Sequence, residues 1–71
     1  MDTITATAKT VKRVAWAQAS PAGEFGEVIR GDEGTVVDRL VEGGDVMWLV
    51  VEFDAARVQL DVQPWDVDFI G

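Results

Sequence analysis

The chain has 71 residues, 48% of them hydrophobic, and contains neither cysteine nor histidine. A chain of this length forms one domain with a small core, and it lacks the side chains for a disulfide framework or for a thiolate or imidazole metal site. The formal net charge of −7 at pH 7 repels nucleic-acid phosphates and anionic membrane surfaces. These counts predict partners that are neutral or basic.

The charge is distributed unevenly along the chain. Residues 1–20 carry a net charge of +2, whereas residues 21–71 carry −9. Such an acidic surface commonly serves solubility, and it also favours a basic partner. No apolar run reaches the roughly 18 residues that a membrane span needs, and the apolar part of the N-terminus is too short for a secretory signal. We therefore expect a cytoplasmic location.

Strand patterns dominate the chain from residue 11 onward. The stretch 11–18 alternates between apolar and polar residues and predicts the first strand. Residues 1–10 form an N-terminal extension, either an extra edge strand or disordered. Residues 19–34 hold one proline and four glycines, which is typical of a long irregular loop.

A hairpin is predicted in the middle of the chain. The second strand, 35–41, is followed by "EGGD" at 42–45, a turn between two β-rich runs. The third strand, 46–53, gives the strongest strand signal in the sequence. Its odd-numbered residues are all apolar and are predicted to face the core: Met47, Leu49, Val51 and Phe53.

Two further strands complete the predicted fold. The fourth, at 57–62, alternates with its even-numbered residues directed inward. Pro64 cannot donate to a strand ladder, so "QPWD" at 63–66 predicts a one-turn break, and "VDFI" at 67–70 predicts a short fifth strand. The prediction is an all-β, five-stranded small barrel over residues 11–71, with a long first loop, because closure removes exposed strand edges.

Several of these segments resemble an SH3-like small barrel. They are "GDEGTVV" at the entry to the second strand, "WLVVEFD" in the third, and "VQLDVQPWDV" from the fourth into the fifth. The chain is similar to small bacterial SH3-like barrels of unassigned function and, more distantly, to the small peripheral barrel protein of photosystem I. Its glycine-rich strand entry resembles the KOW motif of ribosomal and transcription proteins. The resemblance implies a fold and hardly constrains function, and the acidic balance departs from the KOW group and argues against RNA binding.

The stretch "GDEGTVV" at 31–37 also invites comparison with a phosphate-binding loop. Such a loop presents backbone N–H groups at a helix N-terminus, usually with a lysine or hydroxyl following. Here Asp32 and Glu33 stand where the phosphate would lie, and a strand follows in place of a helix. We favour a mechanical role, in which Gly31 and Gly34 provide positive φ in a tight turn that returns the long loop to the barrel.

The sequence does not indicate catalysis, a cofactor or a metal site. Ser20 is the only serine and has no activating base nearby. Asp61, Asp66 and Asp68 bracket the Pro-Trp bend, but their spacing does not match a calcium loop, and solvated acids are the favoured interpretation. A paired-carboxylate hydrolase needs a desolvated acid in a cleft. We therefore expect a non-enzyme, with catalysis left only to a pocket shared between subunits.

The outer face of the third strand is the candidate binding surface. With the odd-numbered residues inside, Val46, Trp48 and Val50 form an exposed apolar row, and such patches usually mark an interface. We predict that Phe25 from the long loop and Trp65 from the bend extend this row. Acidic residues are predicted to rim it and to favour a basic partner: Glu24, Glu27, Glu42 and Asp45.

The sequence thus predicts a non-enzymatic protein-binding or assembly module that forms a homo-oligomer. The apolar row could be covered by the N-terminal segment, by another copy of the chain or by a different protein. The main alternative is a small accessory or regulatory subunit of a larger enzyme complex, docking a basic surface through the acidic loop. A proline-motif reader is disfavoured because tyrosine is absent, and a methyl-lysine cage would need Trp48 and Trp65 to lie close together. Trp16 is assigned to the core.

Overall fold

The structure, a computed structural model, describes residues 12–70, which form a single antiparallel sheet in the order β4-β3-β2-β1-β5. Its strands are β1 (Lys12–Trp16), β2 (Glu33–Glu42), β3 (Asp45–Phe53), β4 (Val58–Val62) and β5 (Val67–Ile70). A one-turn 3-10 helix, Pro64–Asp66, separates β4 from β5. The five strands, the long first loop and the one-turn break are confirmed. The predicted N-terminal extension, residues 1–10, lies outside the described residues.

The sheet curls around one apolar core. The fully or nearly buried side chains are Val14, Trp16, Val28, Leu49, Val51, Phe53, Val62 and Val67. Val62 and Val67 belong to the two edge strands and yet lie in the same core, so the sheet must be strongly curved. Between residues 12 and 70 no pairing joins β4 to β5, and the 3-10 turn spans that gap. The curvature therefore agrees with a small barrel, although hydrogen bonds do not close it.

The β2–β3 hairpin is set by two glycines. Gly43 has φ +59° and Gly44 has φ +88°, and positive φ at both central residues matches the right-handed twist of the flanking strands. Glu42 and Asp45 are paired directly across the turn. The hairpin predicted from "EGGD" is confirmed.

An irregularity in β3 changes which way its first residues face. Leu40 is paired with Trp48, and Val41 is paired with Val46, so that Met47 has no partner on β2. One extra residue in a strand is a β-bulge, which breaks the strict alternation of the side chains on either side of it. The faces of β3 therefore cannot be assigned by counting odd and even positions along its whole length.

The bulge corrects two sequence-based assignments. Met47, predicted to be a core residue, is 39% exposed. Val46, predicted to face outward, packs against the core, so the proposed Val46–Trp48–Val50 row is wrong at its first member. Beyond the bulge the prediction is correct, because the remaining odd-numbered residues are buried: Leu49, Val51 and Phe53.

The long loop is ordered by hydrogen bonds and contributes to the core. Val28 is fully buried, and it exchanges backbone hydrogen bonds with Ala22, with N–O distances of 2.8 and 3.0 Å. The Nε1–H of the buried Trp16 donates to the carbonyl of Ser20 at 2.9 Å. These hydrogen bonds hold the loop in a defined conformation, and the loop contributes Val28 to the core.

The two glycines of "GDEG" have different roles. Gly31 has φ +93° in the turn that returns the loop to the sheet, as predicted. Gly34 does not have positive φ; it is buried inside β2. A Cβ atom at Gly34 would lie 2.6 Å from the carbonyl oxygen of Glu52 and 2.7 Å from a methyl group of Val51. The predicted turn role of Gly34 is therefore wrong: this glycine permits a close approach of β2 to β3.

Candidate functional site

Three apolar side chains meet on the outer face of the sheet and form what we call the Trp48 surface: Leu40, Trp48 and Val50. Leu40 and Trp48 are directly opposite each other on β2 and β3, a spacing at which side chains touch. Leu40 is 50% exposed and Trp48 is 39% exposed. The three residues line a shallow depression of about 400 Å³.

Charged residues surround the apolar centre of this depression. Val50 is paired with Asp38 on one side and with Asp61 on the other. Arg39 also lines the depression. The surface therefore combines an apolar centre with charges of both signs at its rim, which is the composition typical of a protein–protein interface.

Only two of the nine predicted site residues, Trp48 and Val50, line this depression. Val46 lies on the core side of β3. Glu42 and Asp45 face each other at the hairpin turn. Trp65 is 64% exposed on the 3-10 turn, where its carbonyl accepts a hydrogen bond from Gln18 Nε2 at 3.3 Å.

The remaining predicted residues lie in the long loop. Phe25 is 83% exposed, and its backbone N–H donates to Glu27 Oε1 at 3.0 Å. Gly26 donates its N–H to the carbonyl of Gly23 at 3.2 Å, which closes a turn at the loop tip. Glu24 lies in the same turn and is exposed. Phe25 and its acidic neighbours thus form a separate surface and do not line the Trp48 depression.

Leu40 was not predicted as a site residue. A two-residue Gly-Gly turn pairs Glu42 with Asp45, and simple counting along the hairpin then places Leu40 opposite Met47. The bulge shifts the pairing by one residue and brings Leu40 opposite Trp48. The sequence shows Leu40 only as an apolar residue within "DRLVE". That pattern does not identify the residue opposite Leu40 on the third strand.

Among residues 12–70, Arg13 on β1 makes more side-chain hydrogen bonds than any other charged residue. Its guanidinium contacts both carboxylate oxygens of Asp54, at 2.6 and 3.2 Å. It also donates to Thr35 Oγ1 at 2.8 Å and to Glu33 Oε1 at 3.2 Å. The hydrogen bond from Arg13 lowers the pKa of the Asp54 carboxyl, and the same bond raises the pKa of Arg13. Both groups are held in their charged forms, so the cluster joins strands and is unsuited to acid–base catalysis.

The described residues contain neither an acidic cluster suited to a metal ion nor a membrane-spanning helix. Across residues 12–70 no group of three or more acidic side chains is arranged to hold a metal ion, and this includes the three aspartates around the Pro-Trp bend. The same part of the chain contains no helix long and apolar enough to cross a membrane.

Comparison with protein-family models, curated proteins and solved structures finds no match. Any function must therefore be inferred from the geometry.

Proposed function

We propose that this chain is a non-enzymatic, cytoplasmic assembly module of the SH3-like type that self-associates through the Trp48 surface. The observation that carries the proposal is the exposed tryptophan, paired across the hairpin with a half-exposed leucine. Burying apolar surface contributes roughly 25 cal/mol per Å², and tryptophan is the residue most often found at the energetic centre of interfaces. The strand order, the long first loop and the 3-10 turn support the SH3-like assignment.

The charges around the Trp48 surface are compatible with a symmetric pair. In a two-fold contact the same patch occurs on both copies. Arg39 of one copy can then lie against Asp38 or Asp61 of the other, which offsets the repulsion expected between two acidic chains. The charged residues at the rim can therefore pair with those of a second copy, and a different protein is not required.

The size of the exposed patch limits the affinity of this contact. A stable interface buries about 800 Å² on each partner, which is more than three side chains provide. Met47, also exposed at the same end of the hairpin, would contribute further area. We therefore expect a weak dimer with a dissociation constant of about a micromolar or higher.

The test compares two tryptophan variants by light scattering after size-exclusion chromatography, over a range of protein concentrations. We expect the wild-type mass to rise from monomer toward dimer, and Trp48→Ala to remain monomeric while keeping its circular-dichroism spectrum. Trp65→Ala is the matched control, because it removes an equally large and more exposed ring from the 3-10 turn, and we expect it to dimerise normally. A wild-type chain that stays monomeric at the highest concentration, or an equal loss with Trp65→Ala, would contradict the proposal.

A second candidate function uses the long loop. Phe25 is 83% exposed and is presented on a turn that its own backbone hydrogen bonds hold in place. An exposed aromatic side chain on an ordered turn that also carries Glu24 and Glu27 suits a partner with an apolar pocket and a basic rim. This is the arrangement expected of an accessory subunit, and a strictly monomeric wild-type protein would favour it over self-association.

A further inference from the structure

A second apolar depression lies on the core side of the sheet, and we call it the inner groove. It has a volume of about 420 Å³, within the range of sites that hold small molecules. Five of its lining residues are apolar: Val36, Val46, Leu49, Pro64 and Phe69. None of these five residues lines the Trp48 depression, although Arg39 lines both depressions.

The β3 bulge helps to form the inner groove. Because Met47 is the extra residue, Val46 turns to the core side and packs against the core, and it lines the groove together with the buried Leu49. Phe69 of β5 is paired with the core residue Val14 and yet is 55% exposed. The groove is therefore a part of the core side that the described elements leave uncovered.

Two cations stand on this apolar side of the sheet. Lys12 is paired with Val36, and Arg39 is paired with Leu49, so each cation shares a face with a groove residue. Both line the groove, and none of the acidic residues in the described part of the chain does. Within residues 12–70 the ion pairs are made by Arg13, and neither Lys12 nor Arg39 has a carboxylate partner. The position of Arg39 is unexpected, because it belongs to residues 21–71, which carry a net charge of −9.

We infer that the inner groove binds a small amphipathic monocarboxylate. Its alkyl or aryl body would lie against Val46, Leu49 and Phe69, and its carboxylate would lie between Lys12 and Arg39. Hydrogen bonds between a guanidinium or ammonium group and a carboxylate are stronger than neutral ones, and arginine is suited to bidentate contact with such a head group. A single negative charge is favoured over a polyanion because the chain as a whole repels anions.

The test is an NMR titration of the full chain with octanoate, following methyl and backbone signals. We expect saturable shifts centred on Val46, Leu49 and Phe69, with a dissociation constant of about a millimolar for a ligand of this size. Octanol supplies the same body without the charge, and propionate supplies the charge without the body. Both are expected to bind much more weakly than octanoate. Absence of saturable shifts, or equal binding of octanol, would overturn the inference.

Charge variants distinguish a direct contact with the octanoate carboxylate from the effect of the overall charge of the chain. Arg39→Gln and Lys12→Gln are each expected to weaken octanoate binding about threefold, the size of one partly exposed ion pair. Arg30→Gln is the matched control, because it removes the same charge from an exposed loop position outside the groove. Equal weakening by Arg30→Gln would contradict a defined head-group site.

Trp48→Ala separates the groove from the Trp48 surface, because Trp48 lines only the Trp48 depression, whereas Arg39 lines both. Trp48→Ala is expected to keep octanoate binding, so a failure of self-association leaves this inference intact. The titration also tests residues 1–11 as an alternative occupant of the groove. If residues 1–11 fill it, octanoate causes no saturable shift in the full chain, and the inference is wrong.

Discussion

Gly34 shows how one position can be restricted to glycine without any unusual backbone angle. Its α-carbon lies so close to β3 that an added Cβ would meet the Glu52 carbonyl oxygen at 2.6 Å. Backbone atoms cannot rotate away as a flexible side chain can. The close approach is a property of two paired strands, and the sequence around Gly34 does not reveal it.

We expect Gly34→Ala to lower the free energy of unfolding by about 2 kcal/mol, because β2 and β3 must move apart to accept the methyl group. Urea denaturation measures the loss. Gly43→Asn is the control, since position 43 has positive φ with open space around it, and asparagine followed by glycine is a favoured pair for such a hairpin turn. That variant is expected to stay within about 0.5 kcal/mol of wild type. If Gly34→Ala behaves in the same way, the strands are not in close contact at this position.

At the scale of single residues, burial was predictable only where the alternation of β3 was uninterrupted. Leu49, Val51 and Phe53 follow the two-residue period and are buried. Met47 and Val46 precede the regular part of the strand and were assigned to the wrong faces. A bulge depends on how two strands pair, and neither strand alone carries a signal for it. The same bulge determines both candidate sites, since it brings Leu40 opposite Trp48 and turns Val46 into the inner groove.

At the scale of the element, the long first loop differs most from its sequence-based description. Its glycines and proline indicate irregular structure, and the chain does lack a regular strand there. Val28 nevertheless belongs to the core and has no exposed surface. One valine among polar and glycine residues does not form a period, so no pattern distinguishes it from the neighbouring Ile29, which is 56% exposed.

This contrast gives a direct test of the loop. Val28→Ala is expected to cost about 2 kcal/mol of unfolding free energy, because it removes buried methyl groups and leaves a cavity. Ile29→Ala removes more apolar volume from an exposed position and is expected to cost less than about 0.5 kcal/mol. Thermal or urea unfolding of the two variants measures the difference. Equal losses would mean that the loop does not contribute to the core.

For the whole molecule, the strand count and the positions of the turns follow from local patterns, whereas the curvature does not. Alternation in β4 and the Pro64 break are signals contained within a few residues, and both elements form where predicted. The extent to which the sheet closes depends on how the edge strands β4 and β5 meet across the core. The inner groove lies in the part of that core side left uncovered, and no single segment of the sequence indicates it.

The Arg13–Asp54 contact links β1 to the turn after β3 and makes the stability of the whole sheet depend on pH. The hydrogen bond from Arg13 holds the pKa of Asp54 below its usual value. A carboxylate of this kind stabilises the folded state above its unfolded pKa, about 3.9, and the stabilisation is lost as the pH falls through the lower, folded pKa. A substitution that removes the charge of Asp54 removes this stabilisation at every pH.

We therefore expect Asp54→Asn to melt below wild type at pH 7, and we expect this difference to shrink as the pH falls through the lowered, folded pKa of Asp54, because wild-type Asp54 then becomes protonated as well. Melting temperatures followed by circular dichroism between about pH 7 and pH 2.5 measure the convergence. Asp45→Asn, at the opposite end of β3, controls for the removal of one acid from a chain of net charge −7. Relief of repulsion alone would leave this control equal to or slightly more stable than wild type. A difference for Asp54→Asn that persists unchanged in acid would show that the side chain acts through its shape or packing, and that its charge does not contribute.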